Sequence, residues 1–240
     1  MKYIIMAAGM GTRLQPLTLS HPKPLYKLDG STTVLERMVR KIAEHDSDAD
    51  IVIVTGHMRD SMYGLDFGSA RVSFAHNPFY RVTNSIASLW LAKEHLTQGD
   101  VVLVYGDIVM CNKAIDQKVC SEVTRPEVLL DSSRRMGDYN VEVSGGRVLV
   151  MSKELVIYHG EYAGVTRLDG ESAMLLRDEV CSMVNDGFYD QWYENALVQM
   201  VFKYGFDLYY SDIASYEWTE IDSVNDLLAA KRIHAKEMPA

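Results

Sequence analysis

Residues 2–17 read KYIIMAAGMGTRLQPL, an apolar strand that ends in a bend containing Gly9 and Gly11. An ordinary strand-to-helix turn needs one glycine at most, so two suggest that a ligand approaches the backbone closely. Residue 14 is leucine, which departs from the G-x-G-x-x-G dinucleotide pattern, and no Gly-Lys-Ser/Thr follows as in a Walker A loop. Backbone N–H groups in such a bend can converge on anionic oxygens, so the stretch predicts a phosphate-binding bend.

Two cations accompany the bend. Arg13 follows it directly and can make a bidentate contact with a phosphate. Lys23 stands between two prolines in HPKPL, on a stiff extended segment. A rigid lysine beside a phosphate-binding bend indicates a charge clamp. A tight turn flanked by solvated surface cations is the alternative interpretation of the same residues.

Outward from the bend, strand and helix patterns alternate. The segments IVIVT, RVSFA and VVLVYGD are typical of strands, and TTVLERMVRKIAEH and NSIASLWLAKEHL have helical periodicity. Thr33 and Glu36 form a capping-box pattern at the start of the first helix. This order predicts an α/β fold with a doubly wound, mostly parallel, Rossmann-like central sheet.

The second half of the chain has a different pattern. YNVEVSGGRVLVM predicts a hairpin that turns at two glycines, and EYAGVTRL, FDLYYS and YEWTEI predict further strands. Three helical patterns accompany them: GESAMLLRDEVCSMV, QWYENALVQMVFKYG, and SVNDLLAAKRIHAK with Ser223 as its cap. We therefore expect a small antiparallel extension within one domain, 1–240, in which 1–110 bind a nucleoside triphosphate and 111–240 bind the acceptor.

Composition limits the classes of function. A net charge of −9 argues against a nucleic-acid surface, which needs a basic stripe. The three cysteines, Cys111, Cys120 and Cys181, have no metal or redox spacing and are typical of reduced thiols. No run approaches the ~20 apolar residues that span a bilayer, and no targeting segment is visible. We expect a cytoplasmic protein without membrane insertion; whether it forms a homodimer is left open.

Two aspartates follow apparent strands. Asp107 comes after VVLVYG and Asp222 after YEWTEI. Ligands of open α/β sheets gather beyond the carboxyl ends of strands, and Mg²⁺ favours carboxylate and phosphate oxygens. Both residues are therefore candidate metal ligands, although a turn residue and a helix flank would show the same pattern. Glu220 is a weaker candidate, because we expect it to face the other side of its strand.

The motif MAAGMGTRLQPLT…HPKPL resembles the nucleoside-triphosphate signature of the sugar-phosphate nucleotidyltransferase superfamily. TNSIASLWLAKEHL, VYGDIVM and WTEIDSVNDL are similar to segments of the small cytidylyltransferases that act on phosphocholine or aminoalkylphosphonates. The resemblance is strong over 3–28 and 83–108, returns near 190–233, and is weak between 110 and 185.

The resemblance implies a role for each matching residue. Gly9, Gly11, Thr12 and Arg13 would hold the β- and γ-phosphates, and Lys23 would neutralise the α-phosphate. Ala7 and Ala8 would line the base pocket, Asn84 and Ser85 would close over the base, and Asp107 and Asp222 would meet around Mg²⁺. Arg13 and Lys23 would be the catalytic cations.

The reaction implied is transfer of CMP from CTP to a small phosphate or phosphonate, with release of pyrophosphate. Aromatic faces attract ammonium groups, so an acceptor such as phosphocholine, phosphoethanolamine or 2-aminoethylphosphonate fits the aromatic second half. The candidate acceptor contacts are Trp218, Tyr193, Trp192 and Tyr162, with Arg134 and Arg135 for the acceptor phosphate, although ordinary core packing accounts for most aromatic residues.

Three other functions stay open. A sugar-1-phosphate uridylyl- or thymidylyltransferase shares the glycine bend, but the stretch after NPFY lacks the glycine-rich LGTAGA-type segment of many such enzymes. An inactive, nucleotide-binding regulatory protein would usually have lost a cation or an acid. A sheet protein that binds only free phosphate is the third.

Overall fold

A computed structural model describes residues 1–14, 21–97, 99–134 and 139–238. Within these residues, nine strands form one sheet in the order β3-β2-β1-β4-β9-β6-β10-β8-β7, and β11 pairs with β5 as a separate ribbon. The strands are β1 (Lys2–Ala7), β2 (Asp50–Thr55), β3 (Arg71–His76), β4 (Val101–Tyr105), β5 (Ile108–Met110), β6 (Glu127–Asp131), β7 (Asn140–Ser144), β8 (Arg147–Ser152), β9 (Gly160–Leu168), β10 (Tyr209–Asp212) and β11 (Trp218–Glu220).

Helices connect the strands and cover the sheet. They are α1 (Val34–His45), α2 (Arg59–Tyr63), α3 (Ser85–Leu91), α4 (Asn112–Ala114), α5 (Gly170–Asn185), α6 (Glu194–Tyr204) and α7 (Val224–Ala235). Among the described residues, no helix is both long enough and apolar enough to cross a membrane.

The first four strands of the sheet order are parallel and carry the predicted Rossmann-like half. β1 pairs in parallel with β2 and β4, and β2 pairs in parallel with β3. Beyond β4 the pairing is mostly antiparallel, beginning with β9. The α/β fold with a parallel core is confirmed, and its antiparallel part is broader than a small extension.

Alternation along β1 divides the core between the two faces of the sheet. Ile4 packs in a cluster with residues of α3, α5 and α6, whereas Ile5 packs on the other face with residues of α1. Both side chains are fully buried. A strand that is buried on both faces reads as the continuous apolar run seen in the sequence.

Capping and turn residues stand at the ends of several helices and strands, as the sequence predicts. Thr33 and Ser223 begin α1 and α7 with complete capping boxes. Gly145 and Gly146 both have positive φ, 58° and 80°, which fits the tight turn between β7 and β8. α6 ends at Gly205, whose φ of 63° is left-handed.

The β5–β11 ribbon brings together two distant parts of the chain. Ile108 pairs with Glu220 in this antiparallel ribbon, and the N–H of Ile221 donates to the carbonyl of Asp107 at 3.0 Å. Asp107, Glu220 and Asp222 are therefore neighbours at one end of the ribbon.

Candidate active site

A cavity of about 470 Å³ opens beyond the carboxyl ends of β1 and β4. This is the edge at which open α/β sheets bind ligands, and the volume suits a small molecule. Its wall is formed by Met6, Ala7, Ala8, Gly9, Met10, Gly11, Thr12, Lys23, Pro24, Tyr80, Thr83, Asn84, Ser85, Ser88, Tyr105, Asp107, Lys153, Trp192 and Glu220.

The glycine bend forms one part of this wall. Gly11 has a φ of 61°, a conformation that favours glycine, and it precedes a short helical turn, Thr12–Leu14. The N–H of Leu14 closes this turn on the carbonyl of Gly11 at 3.1 Å. The side chain of Arg13 and residues 15–20 lie outside the described part of the structure, so the predicted contact of Arg13 stays a prediction.

Close backbone packing shapes the wall at Ala7 and Ala8. A Cβ atom added to Gly56 would lie 2.5 Å from the carbonyl oxygen of Ala8 and 2.8 Å from Cβ of Tyr80. A Cβ atom added to Gly106 would lie 3.0 Å from Cβ of Ala7. The two glycines therefore let the neighbouring segments approach β1 without filling the cavity.

Asn84 and Ser85 line the cavity at the start of α3. Asn84 accepts a hydrogen bond from the N–H of Ser85 at 2.8 Å, and Ser85 Oγ accepts one from the N–H of Tyr193 at 2.9 Å. The N–H of Asn84 also donates to the carbonyl of Tyr189 at 3.1 Å. These contacts fasten the helix to the segment that carries Trp192.

Lys23 meets the acidic residues at the other end of the site. Its Nζ atom lies 3.1 Å from Oδ2 of Asp107 and forms a short hydrogen bond with Oδ1 of Asp222. Burial alone would lower the pKa of Lys23, but the charges of Asp107 and Asp222 outweigh burial and raise it. The ammonium group is therefore a permanent positive charge within the site.

Three carboxylates gather around this lysine. Asp107, Glu220 and Asp222 each offer an oxygen, and these oxygens lie within 4.8 Å of one another. Hard carboxylate oxygens at this spacing fit Mg²⁺, which also takes phosphate oxygens and water. The acidic cluster therefore has the donor set of a site for a divalent ion.

The expectation that Glu220 faces away was wrong. Glu220 and Asp222 are two residues apart, and side chains two apart share a face of an extended segment. The intervening Ile221 is fully buried and packs on the side of α7. Glu220 thus lies on the cavity wall with Asp107.

The predicted acceptor contacts occupy different places. Trp192 lines the cavity, and the ammonium of Lys153 lies over its ring, 4.0 Å from the centroid. Tyr162 and Tyr193 are buried in the core, where their hydroxyls bond to each other at 2.5 Å. Their hydroxyls therefore have partners within the core, and neither tyrosine is among the residues that line the cavity.

Trp218 and Arg134 form a stacked pair away from the cavity wall. The Arg134 guanidinium carbon lies 3.8 Å from the Trp218 ring centroid, and Trp218 Nε1 donates to Asp131 at 2.8 Å. One face of this ring is therefore already covered by a cation. Arg135 lies outside the described residues.

A polar cluster that no local sequence pattern predicts lies behind Trp192. The hydroxyl of Tyr105, a cavity residue, donates to the two carboxylate oxygens of Glu194 at 2.8 and 3.1 Å. Burial raises the pKa of Glu194 to about 7, although Tyr105 and the charge of Lys153 oppose this. The apolar helical pattern around Glu194 gave no signal that its side chain turns inward.

Several proteins that are similar to this chain in sequence are cytidylyltransferases. The chain is 32% identical over 114 residues to the 2-aminoethylphosphonate cytidylyltransferase of Lancefieldella rimae, covering 48% of this chain and 46% of that protein. It is 25% identical to the choline-phosphate cytidylyltransferase of Streptococcus pneumoniae, over 99% of this chain and 100% of that one. The chain thus matches about half the length of the first relative and all of the second.

Solved structures and a family model agree with the fold. The CTP:phosphocholine cytidylyltransferase of Streptococcus pneumoniae superposes with a TM-score of 0.75 at 24% identity, covering 97% of this chain and 98% of that one. A Bacillus anthracis protein described as a putative glucose-1-phosphate thymidylyltransferase gives a TM-score of 0.76 at 19% identity, covering 100% of this chain and 96% of that one. The model of the MobA-like NTP transferase domain matches residues 3–171. The chain belongs to the MobA-like NTP transferase family.

Proposed function

We propose that this protein is a Mg²⁺-dependent cytidylyltransferase that moves CMP from CTP to a small phosphate or phosphonate. The observation that carries the proposal is the contact of Lys23 with Asp107 and Asp222, in an acidic cluster that reaches the cavity lined by the glycine bend. This arrangement supports the proposal, because a transfer between two anions requires a site for the triphosphate and charges that offset the repulsion.

The acceptor needs little activation. A phosphate monoester carries about −1.5 to −2 charges near neutral pH, so its oxygen is already a nucleophile. That oxygen attacks the α-phosphorus of CTP in line, a new P–O bond forms, and the bond from the α-phosphorus to its bridging oxygen breaks. Pyrophosphate leaves with the bridging oxygen and its electron pair.

Residues of this chain position the reactants and balance their charge. The N–H groups of the glycine bend hold the β- and γ-phosphates, with Arg13 beside them. Lys23 neutralises charge that grows on the α-phosphate oxygens, as fixed cations do in phosphoryl transfer. Asp107, Glu220 and Asp222 would hold Mg²⁺, which would supply further positive charge for the transfer.

We assign binding of the acceptor to the part of the cavity wall around Trp192. The face of this ring already attracts an ammonium group, that of Lys153, and a buried carboxylate, Glu194, stands behind it. An acceptor with its own ammonium group, such as phosphocholine, phosphoethanolamine or 2-aminoethylphosphonate, can take that face in place of the lysine.

One screen tests the proposal. Pyrophosphate release is measured with CTP, UTP, dTTP and ATP, each combined with phosphocholine, phosphoethanolamine, 2-aminoethylphosphonate and glucose 1-phosphate. We expect release with CTP and an ammonium-bearing acceptor, and none in the Asp107→Asn variant. Preference for UTP or dTTP with glucose 1-phosphate would overturn the assignment, and no release from any pair would overturn the catalytic role.

A further inference from the structure

We propose that Asn77 is a positioning residue that aims the hydroxyl proton of Ser88 at a carbonyl oxygen of the bound nucleobase. Asn77 follows β3 and is fully buried, whereas Ser88 lies on α3 and lines the cavity. The inference rests on the proposed function, because it assumes that the cavity takes a nucleotide with a pyrimidine base.

The backbone fixes which way the Asn77 amide faces. The N–H of Phe79 donates to Oδ1 of Asn77 at 2.8 Å, and an N–H can only donate, so this atom must be the oxygen. The opposite atom, Nδ2, then donates to Thr83 Oγ1 at 3.0 Å and to Ser88 Oγ at 2.9 Å. Both amide protons of Asn77 are thereby used.

The two hydroxyls that receive these protons differ in one respect. Thr83 donates its own proton to the carbonyl of Phe79 at 2.9 Å. Ser88 Oγ accepts from Asn77, and among the described residues no protein acceptor lies within hydrogen-bond geometry of its proton. Since Ser88 lines the cavity, that proton is directed at a ligand acceptor.

The surrounding wall suits a base. Ser88 shares the cavity with Ala8 and Tyr80, which Gly56 brings close together, and these residues offer an apolar edge and an aromatic ring. A pyrimidine placed there presents its O2 carbonyl as an acceptor. A buried hydrogen bond of this kind contributes modestly to binding, and leaving the polar atom unpaired costs more.

We call the chain of hydrogen bonds from Phe79 through Asn77 to Ser88 the relay. Replacement of Asn77 by Asp keeps the side-chain shape but reverses the direction of the hydrogen bond between residue 77 and Ser88. The carboxylate still accepts from Phe79, but its other oxygen now accepts a proton from Ser88 and turns the hydroxyl away from the cavity. We expect the Kd for CTP, measured by calorimetry in the intact protein, to rise about 3- to 10-fold in Asn77→Asp and in Ser88→Ala. The double variant should be no weaker than the weaker single variant.

Ribose 5-triphosphate, which lacks the base, separates positioning from structural damage. Its Kd should be the same in all four proteins, whereas a merely structural effect would weaken it together with CTP. Asn140→Asp is the matched control, because Asn140 is a buried asparagine on β7 away from the cavity wall; it should leave the Kd for CTP unchanged.

The outcomes separate the two proposals. If the wild type binds CTP but both single variants bind it equally well, the relay is overturned and the proposed function stands. If Asn77→Asp fails to fold, Ser88→Ala alone decides, and an unchanged Kd for CTP overturns the relay. If the wild type binds CTP and transfers nothing, the proposed function falls and the relay is still judged by Kd. No binding of CTP by the wild type overturns both.

Discussion

The Nζ atom of Lys23 lies 3.1 Å from a carboxylate oxygen of Asp107, although the two residues are 84 positions apart in the chain. The same ammonium bonds to Asp222. One lysine thus neutralises two of the three acids that can hold a metal. In the proposed reaction it must share these carboxylates with Mg²⁺ and turn part of its charge toward the α-phosphate.

Replacement of Lys23 by Ala tests this arrangement. We expect kcat to fall about 10²- to 10³-fold, the loss typical when one fixed donor to developing charge is removed. The carboxylates are then left without their cation, so Mg²⁺ alone should raise Tm more in Lys23→Ala than in the wild type. Lys27→Ala removes a nearby exposed lysine and should change neither quantity. Equal Tm shifts in wild type and Lys23→Ala would contradict the shared site.

The acidic cluster gives a second prediction. Asp107→Asn and Glu220→Gln keep the side-chain shape and remove one negative charge each. We expect Asp107→Asn to abolish Mg²⁺-dependent turnover, and Glu220→Gln to raise the Mg²⁺ concentration for half-maximal activity at least about tenfold. Glu217→Gln, a neighbouring exposed glutamate, is the control. A folded Asp107→Asn protein with full activity would remove that residue from the mechanism.

Gly56 should be intolerant of a side chain. A Cβ atom there would lie 2.5 Å from the Ala8 carbonyl, so Gly56→Ala must displace the cavity wall. We expect the free energy of unfolding to fall by about 1–3 kcal/mol and the Kd for CTP to rise. Gly64→Ala is the control, because no atom lies within 4 Å of its added Cβ. Urea unfolding and calorimetry measure both effects, and tight CTP binding by Gly56→Ala would argue against a base at this wall.

Lys153 should compete with the acceptor for Trp192. Lys153→Met frees the ring face, so we expect the KM for an ammonium-bearing acceptor to fall about 2- to 30-fold, while the KM for CTP is unchanged. Lys93→Met is a matched control, since Lys93 stacks on Trp90 at the same 4.0 Å but away from the cavity. A higher acceptor KM in Lys153→Met would instead show that this lysine binds the acceptor's anionic group.

Glu194 predicts a pH dependence of stability. Burial raises the pKa of this carboxyl from 4.5 to about 7, so the folded state holds its proton more tightly than the unfolded chain does. The stabilisation is present below about pH 4.5 and is lost as pH rises through about 7, by up to about 3 kcal/mol. Urea unfolding at about pH 5 and about pH 8 measures this change. Glu194→Gln should lose less stability between these values, and an equal loss would contradict the shift.

Local sequence signals predicted the elements whose ends they define. The capping boxes at Thr33 and Ser223 and the glycines of the β7–β8 turn act over three or four residues, so the sequence alone shows them. β6 was missed although Pro126 precedes it and Asp131 ends it, because its short apolar run, EVLLD, has no periodicity that distinguishes a strand from a helix. Its place in the sheet depends on pairing with β9, which is distant in sequence.

The candidate site likewise contains residues that local sequence shows and residues that it does not. The glycine bend and Lys23 lie within one short segment and were recognisable, whereas the neighbourhood of Glu194 and Tyr105 depends on packing between α6 and β4. Asn77 gave no signal either. Its partners lie only 2, 6 and 11 positions further along the chain, but which groups its amide meets depends on how the loop after β3 leads into α3. The contact between Tyr105 and Glu194 joins residues 89 positions apart and therefore leaves no local pattern.

The β5–β11 ribbon has a consequence for how the protein becomes active. A nascent chain that has reached residue 171 already contains the glycine bend, Lys23 and Asp107, yet it lacks Glu220 and Asp222. The acids can gather only after the last strand has closed on β5. In the proposed reaction, activity therefore depends on completion of the fold, because an unfinished chain that bound a nucleotide would lack two of the three acids of the metal site.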